Sequence, residues 1–124
     1  MKFHHIGIAT KDMDKSLDWI TRQFNIKNIS QRIYDKNQDA FLQMIETSDV
    51  KIELVSGKTV DRFIQKNITY YHICYEVEDI EKSIKSFEKS ILISKPTPAI
   101  LFDERMVAFL MTPIGIVELL EKKD

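Results

Sequence analysis

Cysteine is nearly absent. Cys74 is the only one, so no internal disulfide can form, and a lone thiol suits a reducing compartment. Charge of one sign is missing too: 18 Lys and Arg stand against 19 Asp and Glu, a formal net charge of -1. That balance lacks the basic surface that drives nucleic-acid binding. No apolar run approaches the ~20 residues needed to cross a bilayer. The N-terminus enters a patterned apolar segment without the charged and apolar regions of a signal peptide. Nucleic acid and membrane are therefore excluded as partners, and a cytoplasmic address is expected. Glycine occurs only three times, which leaves no glycine-rich backbone nest for phosphates. What remains is 44% hydrophobic and 30% charged residues over 124 positions, enough for one domain with a real core.

The chain repeats itself. His5-Ile6-Gly7-Ile8 leads to Asp12-Met13-Asp14-Lys15-Ser16-Leu17, and His72-Ile73-Cys74-Tyr75 leads to Asp79-Ile80-Glu81-Lys82-Ser83-Ile84, at a constant offset of 67 residues (His5 to His72, Asp12 to Asp79). Met13, Leu17, Ile20 and Phe24 map by the same offset onto Ile80, Ile84, Phe87 and Ile91. Steps of four, three and four put these side chains on one stripe of a helix. Each Asp precedes its stripe, where a carboxylate accepts from free backbone N–H groups as an N-cap. Strand-like runs follow in each half: Ile29–Tyr34, Ala40–Ile45 and Val50–Val55, then Lys95–Ile100, Met106–Met111 and Gly115–Glu121. Pro96 and Pro98 mark the first run of the second half as an edge or irregular strand. Thr59–Asn67 reads as a short helix between the halves. The expected organisation is one α+β domain over 1–124, with a βαβββ module at 1–57, a linker helix at 58–67 and a second βαβββ module at 68–124.

A sheet with a helix on one face leaves the other face for a site. Strand residues alternate, so Ile6 and Ile8 facing the helix put His5, Gly7 and Ala9 on the other side. In the second half Ile73, Tyr75 and Val77 leave His72, Cys74 and Glu76 there. Ile52-Glu53-Leu54 and Val117-Glu118-Leu119 send Glu53 and Glu118 to that same side. The His-to-Glu separations are 48 residues (His5 to Glu53) and 46 residues (His72 to Glu118). Two imidazoles and two carboxylates make a four-ligand set for one divalent metal, whose charge the two carboxylates cancel. Zn, Ni, Co and Mn all suit such donors. Metal polarisation of a carbonyl, with Glu118 or Glu53 as the base, is the chemistry that proton abstraction α to a carbonyl requires. His4 points away from His5 and receives no role. Cys74 reads as a small apolar residue.

Phe3-His4-His5-Ile6-Gly7-Ile8-Ala9, the helix Asp12–Ile20, Lys51-Ile52-Glu53-Leu54, Tyr71-His72-Ile73-Cys74-Tyr75-Glu76-Val77 and Gly115-Ile116-Val117-Glu118-Leu119 together resemble the vicinal oxygen chelate (glyoxalase/bleomycin resistance/dioxygenase) superfamily. The resemblance covers essentially the whole chain, and it is greatest to methylmalonyl-CoA epimerases, then to glyoxalase I. It implies two tandem βαβββ modules forming a curved mixed sheet around a metal site, with His5, Glu53, His72 and Glu118 as ligands. It also implies enolate or enediolate chemistry on a small-molecule substrate, and a homodimer. The sequence departs from the epimerases at Lys36-Asn37-Gln38-Asp39-Ala40, where Asn37 aligns with an acidic residue. Pro98–Arg105 replaces a glycine-rich loop. Lys95 and Arg105 are the cations available there for an anionic group.

Three functions follow in order. A metal-dependent isomerase or epimerase comes first, because all four ligands accompany epimerase-like motifs. A glyoxalase I-type lyase acting on a thiol–aldehyde adduct uses the same ion and the same kind of base. A non-catalytic binding or resistance module comes third, since such members often lack ligands that this chain retains.

Overall fold

The computed structural model describes residues 1–123. The chain forms two compact units, one spanning His5–Tyr71 and the other combining Met1–His4 with the chain from His72 onward. The first unit takes most of β1 (Lys2–Ala9), then α1 (Met13–Gln23), β2 (Ile26–Ile29), β3 (Ile33–Asp35), β4 (Ala40–Thr47) and β5 (Lys51–Gly57). A 3₁₀ turn at Lys58–Val60 and α2 (Asp61–Gln65) complete it. Its strands lie in the order β2-β4-β5-β1, with β3 also on β4. The β1–β5 pair is parallel and the others are antiparallel.

The second unit contains nearly all of β6 (Tyr70–Val77), then α3 (Ile80–Ser86), β7 (Ile91–Ala99), a 3₁₀ turn at Ile100–Phe102, β8 (Arg105–Thr112) and β9 (Gly115–Glu121). Here the order is β6-β9-β8-β7, again with one parallel pair, β6–β9. The α+β expectation is met, each unit with a mixed sheet; the second unit is βαβββ, and the first has one strand more because the run after α1 divides into β2 and β3. Among the described residues no helix is long and apolar enough to cross a membrane.

Local chemistry explains the duplicated start. Asp12 Oδ1 accepts from the Lys15 N–H at 3.0 Å, and Asp79 Oδ1 from that of Lys82 at 3.1 Å. Each carboxylate satisfies one of the donors that a helix N-terminus leaves over. Met13 and Ile20 of α1 pack with Ile45, Ile52 and Leu54, and with Ile6, Ile8 and Leu17 partly buried around them. Ile80 of α3 packs with Val77, Ala108, Leu110, Val117 and Leu119, joined by Ile73, Tyr75 and Ile84. Both cores are therefore built from the helix-facing parity expected of the strands.

Several boundaries differ from expectation, among them β7, expected at Lys95–Ile100 and observed at Ile91–Ala99. The run Ile29–Tyr34 is not one strand, because Ser30–Arg32 leave the ladder between β2 and β3. The Ser30 N–H still donates to the Met44 carbonyl at 2.9 Å, but Gln43 Nε2 donates to the Ser30 carbonyl at 2.9 Å and the Met44 N–H donates to Ser30 Oγ at 2.9 Å. The second helix stops at Ser86, so Ile91 lies in β7 rather than on the helical stripe. The Ser86 and Ser90 hydroxyls donate back to the carbonyls of Ser83 and Phe87. Lys89 turns the chain in the left-handed region, at φ 53, and such local bonding competes with helix continuation. The linker helix is also shorter than Thr59–Asn67, ending where Asn67 takes φ 57 and the Ile68 N–H donates to the Phe63 carbonyl at 2.7 Å. β7 is an edge strand whose register on β8 slips twice, between Leu92 and Ser94 and between Ser94 and Thr97.

Candidate functional site

Parallel pairing fixes the first His/Glu pair. Ile6 lies opposite Ile52, Gly7 opposite Glu53 and Ile8 opposite Leu54. With the isoleucines and Leu54 on the helix side, His5 and Glu53 share the other face, and His5 Nε2 lies 3.6 Å from Glu53 Oε1. The second unit repeats the register: Ile73 opposite Val117, Cys74 opposite Glu118 and Tyr75 opposite Leu119. His72 Nε2 lies 3.1 Å from Glu118 Oε1. In both units the glutamate is the strand partner of the residue two places after the histidine. The two-residue difference in spacing is absorbed outside the ladder.

The face expected to be open is buried. His5 is 0% exposed, Glu53 4%, His72 4% and Glu118 3%. In the second unit Cys74, Ala99, Val107 and Leu120 form an apolar cluster on that side, with Phe102 packed against it. In the first unit Val55 and Val60 are fully buried, and Phe63 of α2 meets Tyr71 edge to face at 5.0 Å. Cys74 occupies the apolar position expected of it.

Burial gives the pairs chemical meaning. A carboxylate removed from water must be neutralised, because an isolated buried charge is very unfavourable. A neutral imidazole nitrogen and a carboxylate oxygen both carry lone pairs, so their approach needs a shared proton or a shared cation. N and O donors of this kind suit Zn, Ni, Co or Mn.

Two features of the second unit lie outside the sequence expectations. Phe109, opposite Glu118 on β8, meets the His72 ring edge to face at 5.4 Å and 90°. Its signal was available in the parity of β8, which puts Val107 and Phe109 on the Glu118 side. The second feature is Arg105, expected as a free cation for an anionic group. It donates instead through Nη2 to Glu76 and through Nε to the Glu121 carbonyl at 2.9 Å. The Arg105 hydrogen bond holds the Glu76 carboxyl below its ordinary range, against the opposing effect of burial.

At the β3–β4 turn, Asp35 accepts from the Asn37 N–H at 2.9 Å and from Gln38 Nε2 at 3.0 Å, which turns this carboxylate into its own loop. Asp39 accepts from the Tyr34 hydroxyl and so raises that group's pKa.

Comparison with known proteins gives a family and a fold. The Glyoxalase/Bleomycin resistance protein/Dioxygenase superfamily profile matches residues 4–109. A mitochondrial methylmalonyl-CoA epimerase from Dictyostelium discoideum is 28% identical over 131 aligned residues, covering 98% of this chain and 78% of that protein. A hypothetical protein from Bacillus halodurans C-125 is similar in structure, with a TM-score of 0.75 at 26% identity over 99% of this chain and 95% of the other. The methylmalonyl-CoA epimerase of Mycobacterium tuberculosis shares the fold, with a TM-score of 0.81 at 15% identity over 99% of this chain and 89% of the other.

Proposed function

Because the chain belongs to the glyoxalase/bleomycin resistance protein/dioxygenase superfamily, we propose that it is a divalent-metal-dependent isomerase that moves a proton α to a carbonyl or thioester. His5, Glu53, His72 and Glu118 together hold one ion in this reading. The observation that carries it is the twofold recurrence of a buried His/Glu pair in one strand register, at 3.6 Å and 3.1 Å. Duplicated folding accounts for the repeated caps and apolar stripes. It does not account for a polar pair kept at the same buried place in both copies, because apolar residues there would fold with less desolvation cost.

The ion, when bound, supplies Lewis-acid stabilisation of charge developing on the carbonyl oxygen. The chain supplies the rest. Glu118 and Glu53 are the candidate bases, since a carboxylate can both ligate and take a proton. The perpendicular contact between Phe109 and the His72 ring restricts the orientation of that imidazole. Their burial keeps bulk water from the proton being moved. Asn37 carries no ionisable proton, so this reading assigns proton transfer to the two glutamates.

The similarity to the Dictyostelium epimerase makes methylmalonyl-CoA and related acyl thioesters the first substrates to assay. Metal-loaded protein incubated with them in heavy water should place deuterium at the α-carbon, and Glu118→Gln should abolish the exchange. Absence of α-deuterium across the acyl-thioester panel would remove the proposal. A lactoyl thioester formed from methylglyoxal and a thiol would reassign the chain to the lyases. Protein that takes up no metal would make it a binding module.

A further inference from the structure

On the helix side of the first unit, a groove of about 500 Å³ lies between α1 and the sheet. Ile6, Ile8 and Ile52 line its floor, on the face opposite His5 and Glu53. Trp19, Phe24 and Tyr70 line its rim and remain 53%, 46% and 71% exposed. Trp19 and Phe24 meet edge to face at 6.1 Å. Sites for small molecules commonly occupy roughly 300–1,000 Å³, with apolar walls and a few polar anchors. The walls fit that description, and so does the charge.

Among the described lining residues Lys15 alone is charged, and no carboxylate joins it. The acidic neighbours on α1 are matched elsewhere: Asp14 with Arg32 at 2.7 Å and Asp18 with Arg22 at 3.0 Å. Asp12 caps the helix, and the Ser16 hydroxyl shares a 2.7 Å hydrogen bond with Thr10. One ammonium at the edge of an apolar trough favours a ligand with an apolar body and a single anionic head. We propose that this groove binds an amphipathic carboxylate, its alkyl chain on Ile6, Ile8 and Ile52 beneath Trp19 and its head group at Lys15. The site is separate from the His/Glu pairs and does not depend on the proposed reaction.

Trp19 is the only tryptophan in the chain, so its emission reports on this groove. Full-length protein is titrated with decanoate below its micelle concentration, with decanol and decyltrimethylammonium as neutral and cationic counterparts. Saturable, blue-shifted emission with decanoate, tighter than with either counterpart, is the expected result. Lys15 is an exposed helix position, so Lys15→Glu should fold normally. It should weaken decanoate binding roughly three- to tenfold, as expected for an exposed attraction turned into a repulsion, and leave decanol within about twofold. A chelator should change none of these values. No saturable response, or equal affinity for decanoate and decanol, overturns the proposal. Emission that tracks protein concentration, with a dimer in sedimentation, overturns it in favour of a second copy of the chain covering the groove.

Discussion

At the scale of single residues, buried charge separates ornament from necessity. Glu53 and Glu118 each lie beside an imidazole with almost no access to water, where a carboxylate without compensation would not be tolerated. Glu76 meets the same constraint differently, through Arg105. Because that hydrogen bond lowers the Glu76 pKa, its stabilisation is fully present at neutral pH. It is lost as pH falls through the folded-state value, below the ordinary carboxylate range. Arg105→Gln should therefore cost roughly 1–3 kcal/mol at pH 7, the scale of a hydrogen bond to a charged group. The gap from wild type should close on acidification, as urea unfolding from pH 7 to 3 would reveal. A constant gap would locate the effect in the bond from Arg105 Nε to the Glu121 carbonyl instead. Position in sequence made His5, Glu53, His72 and Glu118 visible as a set. It gave no hint that Arg105 is engaged by Glu76, because that contact joins residues 29 apart.

Among the elements, the repeated Asp caps and the glycine turns carry the local energetics. Asp12→Ala and Asp79→Ala should each destabilise by about 0.5–2 kcal/mol, while the Asn variants should stay close to wild type. Thermal and denaturant unfolding would measure both. The Asp79 change should also lower helical circular dichroism, because α3 has only seven residues over which to spread the loss. The two glycines with positive φ should behave differently. A Cβ on Gly57, at φ 144, would come within 2.5 Å of the Asp39 carbonyl oxygen and 2.7 Å of Ala40 Cα. Backbone atoms cannot swing aside, so Gly57→Ala should cost more than about 2 kcal/mol. At Gly115, φ 101, a Cβ meets nothing within 4 Å, which leaves only conformational strain of about 1 kcal/mol. Equal losses at the two sites would contradict this distinction. Helix starts were legible because the cap and stripe are local. The end of α3 and the break between β2 and β3 were not, since serine hydroxyls and the Gln43 side chain replace backbone partners there.

For the molecule as a whole, the proposed ion would be a ligand of the folded state alone. An ion present at about 100 times its dissociation constant stabilises by about 2.7 kcal/mol, which should raise Tm by roughly 10 °C for a chain of this size. Glu53→Gln and Glu118→Gln are the informative variants, because one residue belongs to each unit. A single ion served by all four ligands predicts that either change removes most of the shift. Two independent sites would instead leave about half of the bound metal in each variant, which metal analysis after dialysis would show.

Sequence by itself determined the duplication, both helix starts and, through strand alternation, which side of each sheet carries a His and a Glu. These depend on periodicity and on contacts only a few residues apart. Tertiary structure decided that β1 aligns with β5 and β6 with β9 in one shared register, bringing each imidazole to its carboxylate across more than forty residues of chain. It also decided that these faces are buried rather than open. Local propensity carries no information about which distant strand completes a ladder or which loop covers a face. Those outcomes follow from the packing of apolar surface over the whole chain.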